Sequence, residues 1–140
     1  MGESFKVKET LTTDIKKIIP FATRIAGQVL VLTGSDEEAF NVKLALEEAL
    51  TNAMRHGNAL DAALKVTISI QADEEKIVLD VYDQGKGFDY QCLPDPTAAA
   101  HVDKPSGRGI FLMRNLMDKL EFYDGGRGIK MVKYFRKDQR

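Results

Sequence analysis

Two runs of alternating residues, Lys65–Gln71 and Ile77–Tyr82, constrain the fold of this chain more than any other feature. Successive side chains of a strand point to opposite faces, so Val66, Ile68 and Ile70 share one face of the first run. The polar turn Asp73–Lys76 joins the two, and together they predict an antiparallel hairpin. A second hairpin is expected from Leu120–Tyr123, the turn Asp124–Gly128 and Ile129–Phe135, and Phe5–Thr10 alternates weakly as a first strand. Elsewhere the period is helical. Ile15, Ile18, Ile19, Ala22 and Ile25 recur at threes and fours, with a kink or break expected at Pro20 and a turn at Thr33–Gly34. Ser35 and Glu38 form a capping box, in which the serine accepts from the third helical N–H and the glutamate reaches back. The helix they open has apolar Ala39, Val42, Leu46, Ala49, Leu50 and Ala53, with Gly57 as its stop. Its expected length is roughly 30 Å. Helical spacing returns at Ile110, Met113, Leu116, Met117 and Leu120. The order strand, helix, helix, hairpin, loop, helix, hairpin predicts an α+β fold: a two-layer sandwich of a mixed or antiparallel sheet with helices on one face. Strand and helix do not alternate as in a Rossmann domain.

At 140 residues the chain is expected to be one domain, residues 1–140. Its 44% hydrophobic and 29% charged residues fit a soluble globular protein rather than a disordered one. A net charge of −1 supplies no basic field for direct nucleic-acid binding. The single cysteine, Cys92, rules out an intramolecular disulfide and fits a reducing compartment. The first residues, MGESFKVKET, contain no apolar core of signal-peptide length, and Val29–Leu32 is too short to span a bilayer. The expectation is a cytoplasmic protein with no membrane partner.

Three short motifs carry chemistry. In the first, "EEALTNAMRHG", Glu48, Asn52 and His56 are spaced four apart on an otherwise apolar helix. Four residues advance a helix by about 400°, so these side chains stack along one edge, while Glu47 points about 100° away. A surface stripe is the plain reading of that spacing. In the second, "DVYDQGKGFD", Asp83 ends a strand and is followed by Gly85 and Gly87. Asp and Gly are common in turns for conformational reasons alone. An ionised carboxylate is also acceptor-only and can receive an exocyclic amine, which adenine has and guanine lacks in the equivalent place. Flanking glycines let backbone approach a flat ring. In the third, "SGRGIFLM", Gly107 and Gly109 sit where a loop becomes a helix, and helix-start N–H groups suit phosphate, with Arg108 adding charge. It is neither a P-loop nor a full G-x-G-x-x-G pattern. Between the second and third motifs, Gln84–Ser106 holds three of the four prolines, a loop long enough to be functional or mobile.

In this order the three motifs resemble the Bergerat-fold ATP site shared by DNA gyrase, heat-shock chaperones, histidine kinases and mismatch-repair ATPases. Within that superfamily "EEALTNAMRHG", "GRGIFLMRNLMD" and "IKMVKYF" resemble the anti-sigma-factor serine protein kinases of bacterial partner-switching systems, over about Ser35 to Phe135. The resemblance implies ATP and Mg²⁺ as cofactors. Glu48 would be the general base near the γ-phosphate, and Asn52 would bind Mg²⁺. Asp83 would take the adenine amine with Gly85 and Gly87 beside it, and Gly107, Arg108 and Gly109 would line the phosphates. An ATP lid is expected at about 88–106, mobile without nucleotide. His56 has no implied catalytic role and is expected to favour the helix dipole from the helix end. Implied partners are an antagonist protein carrying the phosphoacceptor serine, a sigma factor and a second copy of the chain.

The chain departs from the family in two places. Lys104-Pro105-Ser106 stands where some members carry an arginine, so the γ-phosphate contact that the resemblance implies there is missing unless Lys104 or Arg108 substitutes. The turn Gly125-Gly126-Arg127-Gly128 lacks the threonine that members often place near the aspartate. A non-catalytic ATP-binding regulator is the alternative function. A histidine-kinase fragment fits least, because no H-[ED]-x-x-x-P segment is present.

Overall fold

The computed structural model describes residues 2–87 and 107–136. The expected lid at 88–106, with Cys92, Lys104 and Ser106, lies outside the described residues. Five strands form one sheet: β1 (Ser4–Thr12), β2 (Lys65–Asp73), β3 (Lys76–Asp83), β4 (Lys119–Tyr123) and β5 (Gly128–Tyr134), in the spatial order β1-β2-β3-β5-β4. Every neighbouring pair is antiparallel. Among the described residues three α-helices, α1 (Ile18–Thr33), α2 (Asp36–Thr51) and α3 (Gly107–Leu116), complete the expected α+β fold.

Register follows from the alternation. Ile68 pairs with Val81 and Ile70 with Leu79, which puts the apolar residues of both strands on one face. Val66, Ile68, Ile77, Leu79, Val81 and Met131 on that face are buried together with Ile25 and Val29 of α1, Val42, Leu46 and Leu50 of α2, and Met113 of α3. Burying each such large apolar side chain contributes on the order of 1.5–3 kcal/mol before entropy is counted. The other sheet face presents Lys8, Ser69, Asp80, Lys130 and Glu121 in one cross-strand row and is polar.

Four local expectations change. Pro20 neither kinks nor breaks α1. It occupies the first helical turn, where its missing N–H has no intrahelical partner to lose, and a short 3₁₀ turn at Ile15–Lys17 precedes it. Only half of the capping box forms: Ser35 Oγ accepts the Glu38 N–H at 3.2 Å. The Glu38 side chain turns inward instead, pairing with buried Lys133 at 3.3 Å and accepting the Arg136 N–H at 2.8 Å. A buried ammonium is a stronger partner for a carboxylate than a helix-start amide. Leu120 belongs to β4, not to the preceding helix.

The fourth change bears on function. The helix expected to run to Gly57 is regular only to Thr51, and Asn52–Gly57 is a π-helical turn. Thr51 Oγ1 hydrogen-bonds the Glu47 carbonyl at 2.8 Å, and the Asn58 N–H reaches five residues back to Ala53 O, also at 2.8 Å. π turns are rare and often mark functional sites. Here the widened turn carries Gly57 against the end of β3.

Candidate functional site

The π turn has a polar cluster at each end. Asn52 begins the turn, and Glu48, Thr51, Asn52 and His56 line a cavity of about 70 Å³ with Gly109, Ile110 and Met113 of α3. Glu48 and Asn52 therefore share an edge with the start of α3, as their spacing predicts. Gly109 packs directly on the carboxylate, and a Cβ there would fall 2.6 Å from Glu48 Oε2. Burial, with a smaller contribution from the Glu47 charge, raises the Glu48 pKa above the ordinary carboxylate range. Glu47 itself faces away and pairs with Lys43 at 2.5 Å. His56 lines the same cavity, and burial followed by the Arg55 charge lowers its pKa. Both effects work against the cation expected at the helix end.

The second cluster surrounds Asp83, which is 2% exposed. Its own N–H donates to Arg127 O at 3.0 Å, and its Oδ1 accepts the Gly85 N–H at 2.9 Å. Burial raises its pKa, while the Gly85 hydrogen bond and the Arg127 charge pull the other way. Backbone crowds this carboxylate closely. A Cβ on Gly57 would strike the Asp83 carboxylate, one on Gly85 would overlap the Gly57 carbonyl, and one on Gly87 would strike the Gly125 carbonyl. Gly87 also has φ +78°, which suits glycine.

Asn58 joins this end to the sheet. It is 1% exposed, accepts the Gln84 N–H at 2.9 Å, and donates to Thr13 Oγ1 at 2.8 Å and Lys65 O at 3.1 Å. Arg127, in the turn before β5, donates from Nε to Gly85 O at 2.7 Å. Sequence reasoning passed over Gly57, Asn58 and Arg127 as site residues. The available signals were an amide directly after a helix stop and a lone arginine between glycines.

Gly107 and Arg108 open α3 next to Gly109, so their backbone stands at the Glu48–Asn52 end. Among the described residues no cluster of three or more His, Cys, Asp or Glu side chains could hold a metal ion. A metal here would rest on the Asn52 amide oxygen and a ligand's own oxygens, and a hard cation that keeps several waters fits such a sparse set. Larger hollows lie on the polar sheet face and between β1 and α1, and neither contains Glu48, Asn52 or Asp83.

The site thus joins a buried acceptor carboxylate walled by glycine, through the π turn, to a glutamate–asparagine pair facing a helix start. The chain belongs to the histidine kinase-like ATPase domain family, whose model matches residues 9–133, and ATP use goes with that class. Within the family it is similar to the serine-protein kinases RsbW. The relative from Staphylococcus epidermidis is 30% identical over 105 residues, covering 69% of this chain and 66% of that protein. The relative from Staphylococcus aureus strain JH9 is 31% identical over 107 residues, covering 71% of this chain and 67% of that protein. The chain thus spans about two thirds of the length of these relatives. The fold is also that of the crystal structure of the RsbU and RsbW domains of Rv1364c from Mycobacterium tuberculosis. That match has a TM-score of 0.60 and 15% identity, and covers 94% of this chain and 32% of that one. Among the described residues, no helix is long and apolar enough to cross a membrane.

Proposed function

We propose that this chain is an ATP-dependent serine protein kinase and anti-sigma factor. In this reading one domain phosphorylates an antagonist protein on serine and sequesters a sigma factor in the cytoplasm. The observation that carries the reading is the division of labour along the π turn. Asp83 offers a buried, acceptor-only group suited to an adenine amine at one end. Glu48 offers a carboxylate of raised basicity in the same cavity as Asn52 at the other. Family membership and similarity to the RsbW kinases support it.

Phosphoryl transfer needs positioning and neutralised charge more than covalent help. Mg²⁺, held through Asn52, would supply that neutralisation. The N-terminal backbone of α3 at Gly107, Arg108 and Gly109 faces the same end and suits phosphate oxygens. Glu48 would accept the proton of the partner's serine hydroxyl as that oxygen attacks. A carboxylate whose pKa lies above the ordinary value holds that proton better than an exposed one.

The test is an incubation with labelled ATP and candidate antagonists encoded beside this chain's gene. The expected result is label on an antagonist serine, with ATP preferred over GTP and with Asp83→Asn binding ATP poorly. Equal titration curves for ATP and GTP would remove the adenine assignment. Adenine-selective binding without transfer to any antagonist would leave a non-catalytic ATP-binding regulator. The implied homodimer is checked by light scattering at micromolar concentration, where a monomer mass would exclude it.

A further inference from the structure

Arg127 holds the Asp83–Gly85 segment from two sides. Its main-chain carbonyl accepts the Asp83 N–H at 3.0 Å, and its side-chain Nε donates to the Gly85 carbonyl at 2.7 Å. The turn that presents it is unusual. Asp124, Gly125 and Gly126 have φ of 51°, 64° and 89°, three successive residues in the left-handed region. Asp124 belongs to one of the few side-chain types that visit this region. It is held by a hydrogen bond from the Tyr82 hydroxyl on β3, and the Arg127 N–H closes the turn onto Asp124 O at 3.2 Å. The Gly125 carbonyl meets Gly87 at the same place. Both glycines of the Asp83 motif are thus braced by one turn, although this turn lacks the hydroxyl expected near the aspartate.

We propose that Arg127 is a positioning residue that sets base selectivity: it clamps the Asp83–Gly85–Gly87 rim so that the Asp83 carboxylate meets the base in one orientation. The inference rests on the assignment of Asp83 to the adenine amine. Among the described residues, Asp83 is surrounded by Gly57 from the π turn, Val66 across from it on β2, Gly85 of its own loop, and Arg127. His56, next to Gly57, has its pKa lowered by burial and by the Arg55 charge. Arg127 is the nearby cation, and Asp124 stands behind it with Nη1 and Oδ1 3.6 Å apart. Losing the guanidinium removes both the Gly85 hydrogen bond and the charge that favours ionised Asp83.

The experiment measures ATP and GTP affinity of wild type, Arg127→Ala and Arg127→Lys across pH, with a thermal melt of each. Arg127→Ala is expected to lose about tenfold in ATP affinity, the scale of one charge-assisted hydrogen bond, with GTP affinity little changed. Its ATP affinity should fall away at higher pH than in wild type, because Asp83 protonates more readily without the cation. Arg127→Lys keeps a charge without the forked geometry, so it should restore the pH profile and only part of the affinity. Should Arg127→Ala prove unfolded, Arg127→Lys carries the test through its ATP-to-GTP ratio, which is expected to fall. An unchanged ratio and pH profile with only a lowered Tm would make Arg127 a merely structural residue and overturn the proposal. A wild type without adenine preference would overturn the Asp83 assignment itself and this inference with it, and that outcome is visible before any variant is made.

Discussion

The two ends of the π turn are built differently. At the Gly57 end the polar groups already have their partners: Asp83 is fixed by Gly85 and Arg127, and Gln84 by Asn58. Gly85 and Gly87 meet backbone carbonyls there, which cannot swing aside as a side chain can, and Gly57 meets the Asp83 carboxylate itself. At the Asn52 end, neither the Glu48 nor the Asn52 side chain has a hydrogen-bond partner among the described residues, and the Glu48 carboxylate lies against the Cα of Gly109. Rigid, satisfied groups suit recognition of a constant feature such as a base. Groups left with free valence suit atoms that arrive with the ligand and change during reaction.

Placing the same substitution at both ends gives the largest expected contrast. Gly85→Ala drives a methyl group into the Gly57 carbonyl, which cannot retreat without moving off the Asp83 carboxylate. We expect a loss of about 3 kcal/mol of stability, the upper end for overpacking, read from urea unfolding. A Gly85→Ala variant as stable as wild type would show that this end yields and that the contrast is false.

Next in size is Glu48→Ala. If the Asn52 end acts mainly in the transition state, turnover should fall at least ~10²-fold while ATP affinity stays near wild type. Glu47→Ala, whose side chain pairs with Lys43 instead, is the control and should change little. Phosphorylation rates on an antagonist and a parallel ATP titration measure both. An inactive Glu47→Ala beside an active Glu48→Ala would reverse the assignment of the two glutamates.

The difference between the ends also explains what could be read in the sequence. The fold was legible because Val66–Ile70, Ile77–Val81 and the face from Ala39 to Ala53 repeat at strand and helix periods, and burial enforces those periods. Glu48 and Asn52 were legible for the same reason, since helical spacing alone puts them on one edge. The Gly57 end was not, because it depends on residues far apart in the chain. Gly57 meets Gly85, Asn58 binds Gln84, and Arg127 binds Gly85 across 42 positions. No local period encodes such contacts. The π turn was hidden too, since it shifts the helix phase after Thr51, and Gly57 at its end reads equally well as the stop of a regular helix.

Gly109→Ala is the matching substitution at the Asn52 end and should be mild for the fold. Its methyl group would meet Glu48 Oε2, the tip of a flexible side chain, at 2.6 Å. Alanine also gains up to about 1 kcal/mol over glycine inside a helix. Stability is therefore expected to stay within about 1 kcal/mol of wild type, with phosphoryl transfer impaired because the carboxylate is displaced. Denaturant melts and kinase assays on one preparation separate the two effects. A collapse in stability like that of Gly85→Ala would erase the distinction between the ends.

The smallest expected effect concerns the charge on Glu48. Its folded pKa lies above the ordinary 4.5 because burial disfavours the anion and Glu47 adds repulsion. The sign follows from proton linkage. Between the ordinary value and the raised one, the folded state holds more protons than the unfolded state, so stability falls as pH rises through that window. Below the window the carboxyl is neutral in both states and Glu48→Gln should match wild type. Above it, wild type carries a half-buried anion that glutamine lacks, so the variant should melt at a higher temperature, and the gap should open as pH rises. Asp83→Asn should show a gap of the same sign, reduced by the Gly85 and Arg127 interactions that favour the Asp83 anion. Thermal melts from pH 4 to pH 8 in matched ionic strength test both. A Glu48→Gln gap that is absent at pH 8, or that widens toward low pH, would mean that the Glu48 carboxylate is already satisfied and that the two ends are alike.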